Sequence, residues 1–218
     1  MTLADTLVAA FETKREELAV SIWLATMASE EFERLWHVPE QLGDYDVNAD
    51  LPLESALGTL AFWVTEWLAG RYDYDESAFE NALGVVRHGN AGYWLRAAAL
   101  ISSELDAANA LVFARLDRRP LCFNQQPSQQ GRILLNVVQQ FFVGDVQVWA
   151  ADINRVLYRV LAPHRQLEQA LAGVQPAGYL QWAAERDAQL GDIQAAPKSH
   201  VTSLAPVLSS CGLLPAAN

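Results

Sequence analysis

The stretch Ser128 to Ala162, SQQGRILLNVVQQFFVGDVQVWAADINRVLYRVLA, limits the fold more than any other part of the chain. Leu135, Val138, Phe142, Val146, Trp149, Ile153, Val156 and Val160 recur at steps of three or four. A helix stacks residues so spaced on one face. Leu134, Phe141, Leu157 and Leu161 widen that face, while Gln140, Gln147, Ala151, Asn154, Arg155 and Tyr158 fall mostly opposite. A stripe of this width belongs inside a bundle rather than at a coiled-coil seam. Ser128 is placed to cap the helix, and Pro163 is expected to end it near Leu161. Some 33 residues make a rod of roughly 50 Å. Gly131 and Gly144 weaken it by about 1 kcal/mol each relative to Ala, and Gly144 is the expected place for a kink or a close crossing.

Helix signals divide the rest of the chain. Thr2 and Asp5 form a capping-box pattern opening a helix near Leu3 that runs to about Ala25. Ser29 heads a short helix through Phe32, Leu35 and Trp36, stopped by Pro39. Val38 to Pro52 is a polar connector. The next helices are expected at Leu53 to Ala69 before Gly70, from Asp75 to Val86 before Gly89, and from Asn90 to about Arg115. After Pro163, short helices are expected at Arg165 to Leu171 and Ala177 to Leu190. Residues 192–218, rich in Ala, Ser and Pro, read as an irregular surface tail with at most one short helix near Val201–Leu208. No strand pattern is sustained. The expectation is an all-α, single-domain, multi-helix bundle (1–191) packed around the long central helix at about 128–162, followed by the tail (192–218). The Leu-Gly pairs at 57–58 and 83–84 lack the offsets of a tetratricopeptide repeat.

Length and composition permit a sizeable core: 218 residues, 51% hydrophobic, with seven Trp. No uninterrupted apolar run reaches the ~18 residues of a membrane helix, and the first residues lack the basic start of a secretory signal. Cys122 and Cys211 stand alone, which fits a reducing cytoplasm without excluding one disulfide. The expected setting is therefore cytoplasmic, away from membranes.

Charge is distributed unevenly. Residues 1–80 hold 17 Asp/Glu against four Lys/Arg, a balance of −13; residues 81–218 hold nine against 11, a balance of +2. Phosphate contacts need Lys and Arg, so nucleic acid is not an expected partner of the first part. A basic protein is favoured there, and Glu40, Asp44, Tyr45, Asp46 and Asp50 in the polar connector are the residues expected to meet it. Solubility alone also accounts for an acidic surface.

Three groups of residues carry candidate chemistry. Trp63, Glu66 and Trp67, with Asp145, Trp149 and Asp152 at the edge of the central stripe, would make an aromatic pocket with a carboxylate of raised pKa. The favoured reading of the same acids is as boundary residues that reach water or pair with Arg96, Arg155 or Arg159. Arg115, Arg118, Arg119, Cys122 and Arg132 form a basic island, either an anion- or partner-binding loop or cations favoured at a helix C-terminus. Arg neighbours would lower the Cys122 pKa, but no His lies near in sequence to act as its base. Glu33 and His37 share a helix face, as half of a metal site or as an ordinary helical pair. No glycine-rich phosphate loop, nucleophile elbow, Cys-x-x-Cys or metal-ligand spacing occurs, so neither cofactor nor metal is expected and the balance leans away from an enzyme.

The expectation for function is a helical protein-binding protein, of the immunity, inhibitor or adaptor kind, presenting an acidic N-terminal surface to a basic partner. The alternative is a helical small-molecule binder or enzyme built on the aromatic pocket. An oligomeric scaffold using exposed parts of the long helix is a third.

Overall fold

The computed structural model of the protein describes residues 2–43, 51–116, 118 and 120–213. Among these the fold is all-α, with α1 at Leu3–Ala25, α2 at Glu30–Leu35, α3 at Leu51–Leu68, α4 at Glu76–Arg87 and α5 at Ala91–Leu116. A two-residue hairpin follows, β1 at Cys122–Phe123 antiparallel to β2 at Gln126–Pro127. Then come α6 at Gln129–Val137, a π-helical segment at Val138–Val146, α7 at Gln147–Ala170, a 3-10 turn at Ala172–Val174 and α8 at Ala177–Ser210.

Local chemistry explains the starts. Thr2 Oγ1 accepts from Asp5 N at 3.2 Å while Asp5 Oδ2 accepts from Thr2 N at 2.7 Å, a reciprocal box that satisfies two otherwise orphaned donors. That same bonding holds the exposed Asp5 carboxyl below its ordinary pKa. Asp75 caps α4 through Ala78 N, and Ser128 caps α6 through Gly131 N, both at 3.1 Å. Gly70, at φ +81°, supplies the left-handed residue that ends α3. The hairpin turns on Asn124 and Gln125, both at positive φ, as a type I′ loop requires.

The chain separates into two compact units. One comprises residues 1–93 with 156–184, the other 94–155 with 185–218. This division differs from the expected boundary at residue 191, which falls inside α8. In the first unit α4 packs on α2 and α3, and Leu53, Leu57, Leu60, Val64, Val86 and Leu167 are at most 1% exposed. In the second, Trp94, Ala97, Ala98, Ile101 and Ile153 are buried, and Cys122 is disulfide-bonded to Cys211 across 89 positions.

The rod of the sequence reading is present, but it differs in three ways. Helix continues through Pro163 to Ala170. An internal proline costs about 3 kcal/mol; here Val160, His164, Leu167 and Leu171 are all buried and offset that cost. The irregularity expected at Gly144 is a π-helical stretch rather than a crossing: a Cβ placed there would meet only Gln139 O, at 3.6 Å, beyond its own turn. Burial is concentrated in the later half: Ile153, Val156, Leu157 and Val160 are core, Leu135, Val138, Val146 and Trp149 are half-buried, and Phe141 is exposed.

Residues 192–210, expected as tail, continue α8 through Gly191, Pro197 and Pro206. Leu190, Ile193, Ala196, His200, Leu204 and Val207 are buried at steps of three or four, and this row sustains the helix. By length and composition alone, the stretches Glu76–Arg115 and Gln129–Ala170 are long and apolar enough to cross a membrane; their most apolar windows are 33% and 11% buried.

Candidate functional site

Two features of the first unit stand out. One is the early part of α1: residues 3–17 are exposed throughout. Leu3, Leu7 and Phe11 follow one another at four-residue spacing and are 77%, 62% and 59% exposed. They form a continuous apolar ridge. Asp5, Glu12 and Glu16 lie on the other side of the same turns. Among the described residues no ion pair engages Glu12, Glu16 or Glu17. The helix becomes anchored only further on, where Ile22 and Trp23 are buried and Trp23 meets Tyr179 edge to face at 4.7 Å.

The second feature is an aromatic cluster built from α2, α7 and the start of α8. Trp36 stands perpendicular to both His164 and Trp182, with centroids 5.2 and 5.5 Å away and interplanar angles of 81° and 77°. Tyr179 lies 5.4 Å from Trp182. Trp36 Nε1 donates to His164 Nε2 at 3.1 Å, so that nitrogen is the acceptor and Nδ1 carries the ring proton of the neutral tautomer. His164 Nδ1 lies 3.8 Å from Glu168 Oε1, which accepts from Tyr179 Oη at 2.7 Å. Beside these rings is a cavity of about 420 Å³, lined also by Met27, Phe32, Glu33 and Val38. A larger groove of about 720 Å³ shares Glu33 and His37 with it and adds Glu30, Arg34, Arg87 and His88. Glu31 in α2 is held below the ordinary carboxyl range by hydrogen bonds from its own backbone and Ser29, with Arg87 adding to the effect.

The residues singled out in the sequence are dispersed. Glu40 is exposed, and Asp44, Tyr45, Asp46 and Asp50 lie outside the described residues. Trp63 lines a separate groove with Phe62, Glu54 and Arg159. Trp67 packs against Tyr74 and Phe79, both at 5.2 Å. Glu66 does not have the raised pKa expected beside aromatics: Arg71 grips it with two hydrogen bonds, which hold its carboxyl low. Asp152 pairs with Arg155 at 3.0 Å, Asp145 is exposed and Trp149 half-buried, all in the second unit.

The basic island is likewise engaged locally. Arg115 donates to Gln130 at 2.7 Å and Arg132 to the Pro127 carbonyl at 3.0 Å; Arg118 is exposed and Arg119 lies outside the described residues. Cys122, paired with Cys211, has no thiolate to activate, which corrects the reading of it as a thiol of lowered pKa. Among the described residues no three His, Cys, Asp or Glu gather as metal ligands.

In the sequence Trp36 reads as an apolar residue of its short helix and Tyr179 and Trp182 as apolar residues of the helix expected at Ala177 to Leu190, with nothing to connect them to His164. Their spacing along three helices was available; their convergence was not.

The charge asymmetry persists when the chain is divided by unit. The first unit contains 18 Asp/Glu and seven Lys/Arg, a formal −11, and the second contains eight of each. No curated protein and no solved structure matches the chain. A family model described as "Protein of unknown function (DUF3080)" matches residues 1–215, and the chain therefore belongs to the DUF3080 family.

Proposed function

We propose that this is a protein-binding protein whose binding element is the early part of α1, presented to a partner with an apolar groove rimmed by Lys and Arg. The observation that carries the reading is the ridge of Leu3, Leu7 and Phe11, left in solvent by the rest of the fold. Isolated helices of about 15 residues are marginal in water. A helix whose first turns are apolar on one side, at Leu3, Leu7 and Phe11, and acidic opposite, with Lys14 and Arg15 next along the apolar side, suits docking into a groove, where anchors recur at three- and four-residue steps. The −11 of its unit supports a basic partner through steering and rim contacts. Immunity, inhibitor and adaptor roles all employ a surface of this type.

Glu30, Glu31, Glu54 and Glu66 are already paired with Arg34, Arg87, Arg159 or Arg71. This favours α1 over those positions as the contact. The Cys122–Cys211 bond supports an oxidising compartment in place of the reducing cytoplasm inferred from two isolated cysteines. Asp145 interrupts the most apolar part of the rod, and a carboxylate at a bilayer centre costs about 2.5–3.5 kcal/mol on insertion scales, so we assign the rod to protein contacts.

The test is affinity for a partner isolated on the intact chain and identified by mass spectrometry. Leu7→Asp with Phe11→Asp is expected to weaken it at least tenfold, about the effect of losing one anchor, and raised salt is expected to slow association. Unchanged affinity and salt-independent association would remove the proposal.

A further inference from the structure

The aromatic cavity has the chemistry of a second, separate site. We propose that the space beside Trp36, Tyr179 and Trp182 binds an organic ammonium cation of the methylated-amine class, with Glu33 as the carboxylate at its edge. Four observations converge on it.

Trp36 and Trp182 meet edge to face, at 77° with centroids 5.5 Å apart, Tyr179 lies 5.4 Å from Trp182, and all three line the cavity. A cation seated over the face of a ring that lines the space would be held by its π electrons, the principle of aromatic cages for quaternary ammonium groups. The hydrogen bond from Trp36 to His164 fixes the indole in place, so little ordering remains for the ligand to induce. The volume, about 420 Å³, exceeds what one methylated ammonium head requires and leaves room for the group that carries it. Finally, Glu33 lines the cavity as well as the adjoining groove, and all the formal net charge of the chain, −11, lies in this unit.

Other ligand classes fit less well. An anion would meet Glu33 and the negative field. A hard metal ion needs several oxygen ligands, and among the described residues no three acidic or metal-ligating side chains gather. A neutral apolar ligand would gain nothing from the carboxylate. A methylated ammonium spreads its charge over an apolar surface and sheds water readily, which matches aromatic walls with one acid.

The experiment is a calorimetric and tryptophan-fluorescence titration of the intact chain with choline and tetramethylammonium, against 3,3-dimethylbutan-1-ol, the uncharged isostere of choline. The result expected is saturable binding of both cations, with the alcohol weaker by about tenfold, the scale of a desolvated cation–π contact. Trp182→Leu, which keeps apolar bulk and removes the π surface, is expected to cost about the same factor, and Glu33→Gln about twofold to fivefold. Circular dichroism checks that both variants fold. Should Trp182→Leu fail to fold, the isostere comparison and Glu33→Gln decide. Equal binding of choline and its isostere, or no saturable binding of either cation, would overturn the proposal. Loss of the α1 ridge leaves this titration unchanged, so the two proposals stand or fall separately.

Discussion

The indole nitrogen of Trp36 donates a 3.1 Å hydrogen bond to Nε2 of His164, 128 positions away in the chain, and both side chains are buried. The bond fastens the end of α2 to α7 at the residue after Pro163. His164→Leu is expected to leave the indole N–H without its acceptor at a cost of about 1–3 kcal/mol. His164→Gln, which offers an amide oxygen, is expected to recover part of that. Urea denaturation followed by Trp fluorescence measures both, and a neutral effect of His164→Leu would contradict the assigned bond.

His200 makes stability depend on pH. It is buried against Phe142, 4.5 Å away, and its Nδ1 lies 2.7 Å from Asn109 Oδ1. Burial lowers its pKa below the ordinary 6.5. The unfolded chain therefore binds the proton more readily, and stability rises with pH across this window. The contribution is fully present above 6.5 and is lost as pH falls through that value towards the folded pKa. Denaturation midpoints between mildly acidic and neutral pH are expected to fall on acidification, and to fall less in His200→Gln. Identical pH dependence in the two proteins would contradict the assignment.

The Cys122–Cys211 bond closes a long loop whose ends are 89 positions apart. Removing such a constraint typically costs about 2–5 kcal/mol. Cys122→Ser with Cys211→Ser, or treatment with dithiothreitol, is expected to lower stability by that amount, and thiol titration of the unfolded, unreduced chain is expected to find none free.

Gly92 allows a backbone contact that a side chain would block. A Cβ there would overlap the carbonyl of His37. Gly92→Ala is expected to cost about 1–3 kcal/mol by forcing α5 and the residue after α2 apart. A midpoint equal to that of the unaltered chain would show that the approach is looser.

Local signals in this sequence were read correctly where they act within a few residues. The Thr2/Asp5 box, the caps at Asp75 and Ser128 and the stop at Gly70 each work through their own turn. Pro163, Pro197 and Pro206 misled because proline reports a local cost, whereas these helices persist through burial of Leu167, His200 and Leu204. A stripe was legible at Ile193, Ala196, His200, Leu204 and Val207, but the Ala, Ser and Pro content obscured it. The aromatic cluster required α2, α7 and α8 to converge, which no spacing encodes. Glu66 stands between Trp63 and Trp67 in the sequence, yet its partner five residues on, Arg71, reversed the expected direction of its pKa.

Exposure of α1 has a dynamic consequence. Without tertiary contacts its early amides are protected only by marginal helix formation. Hydrogen exchange in residues 3–17 is expected to be much faster than in residues 56–64 of α3, where Leu57, Leu60 and Val64 are fully buried. Comparable protection in the free chain would mean that the ridge is already covered.

The binding role of α1 is tested most directly by a photo-crosslinking residue at position 11, activated in cells that make the protein. The account predicts one discrete adduct with a basic protein. Its yield falls as salt is raised in the extract, Leu7→Asp abolishes it, and the same residue at exposed position 72 does not form it. No adduct above that control, or an adduct only with a second copy of the chain, would contradict the account.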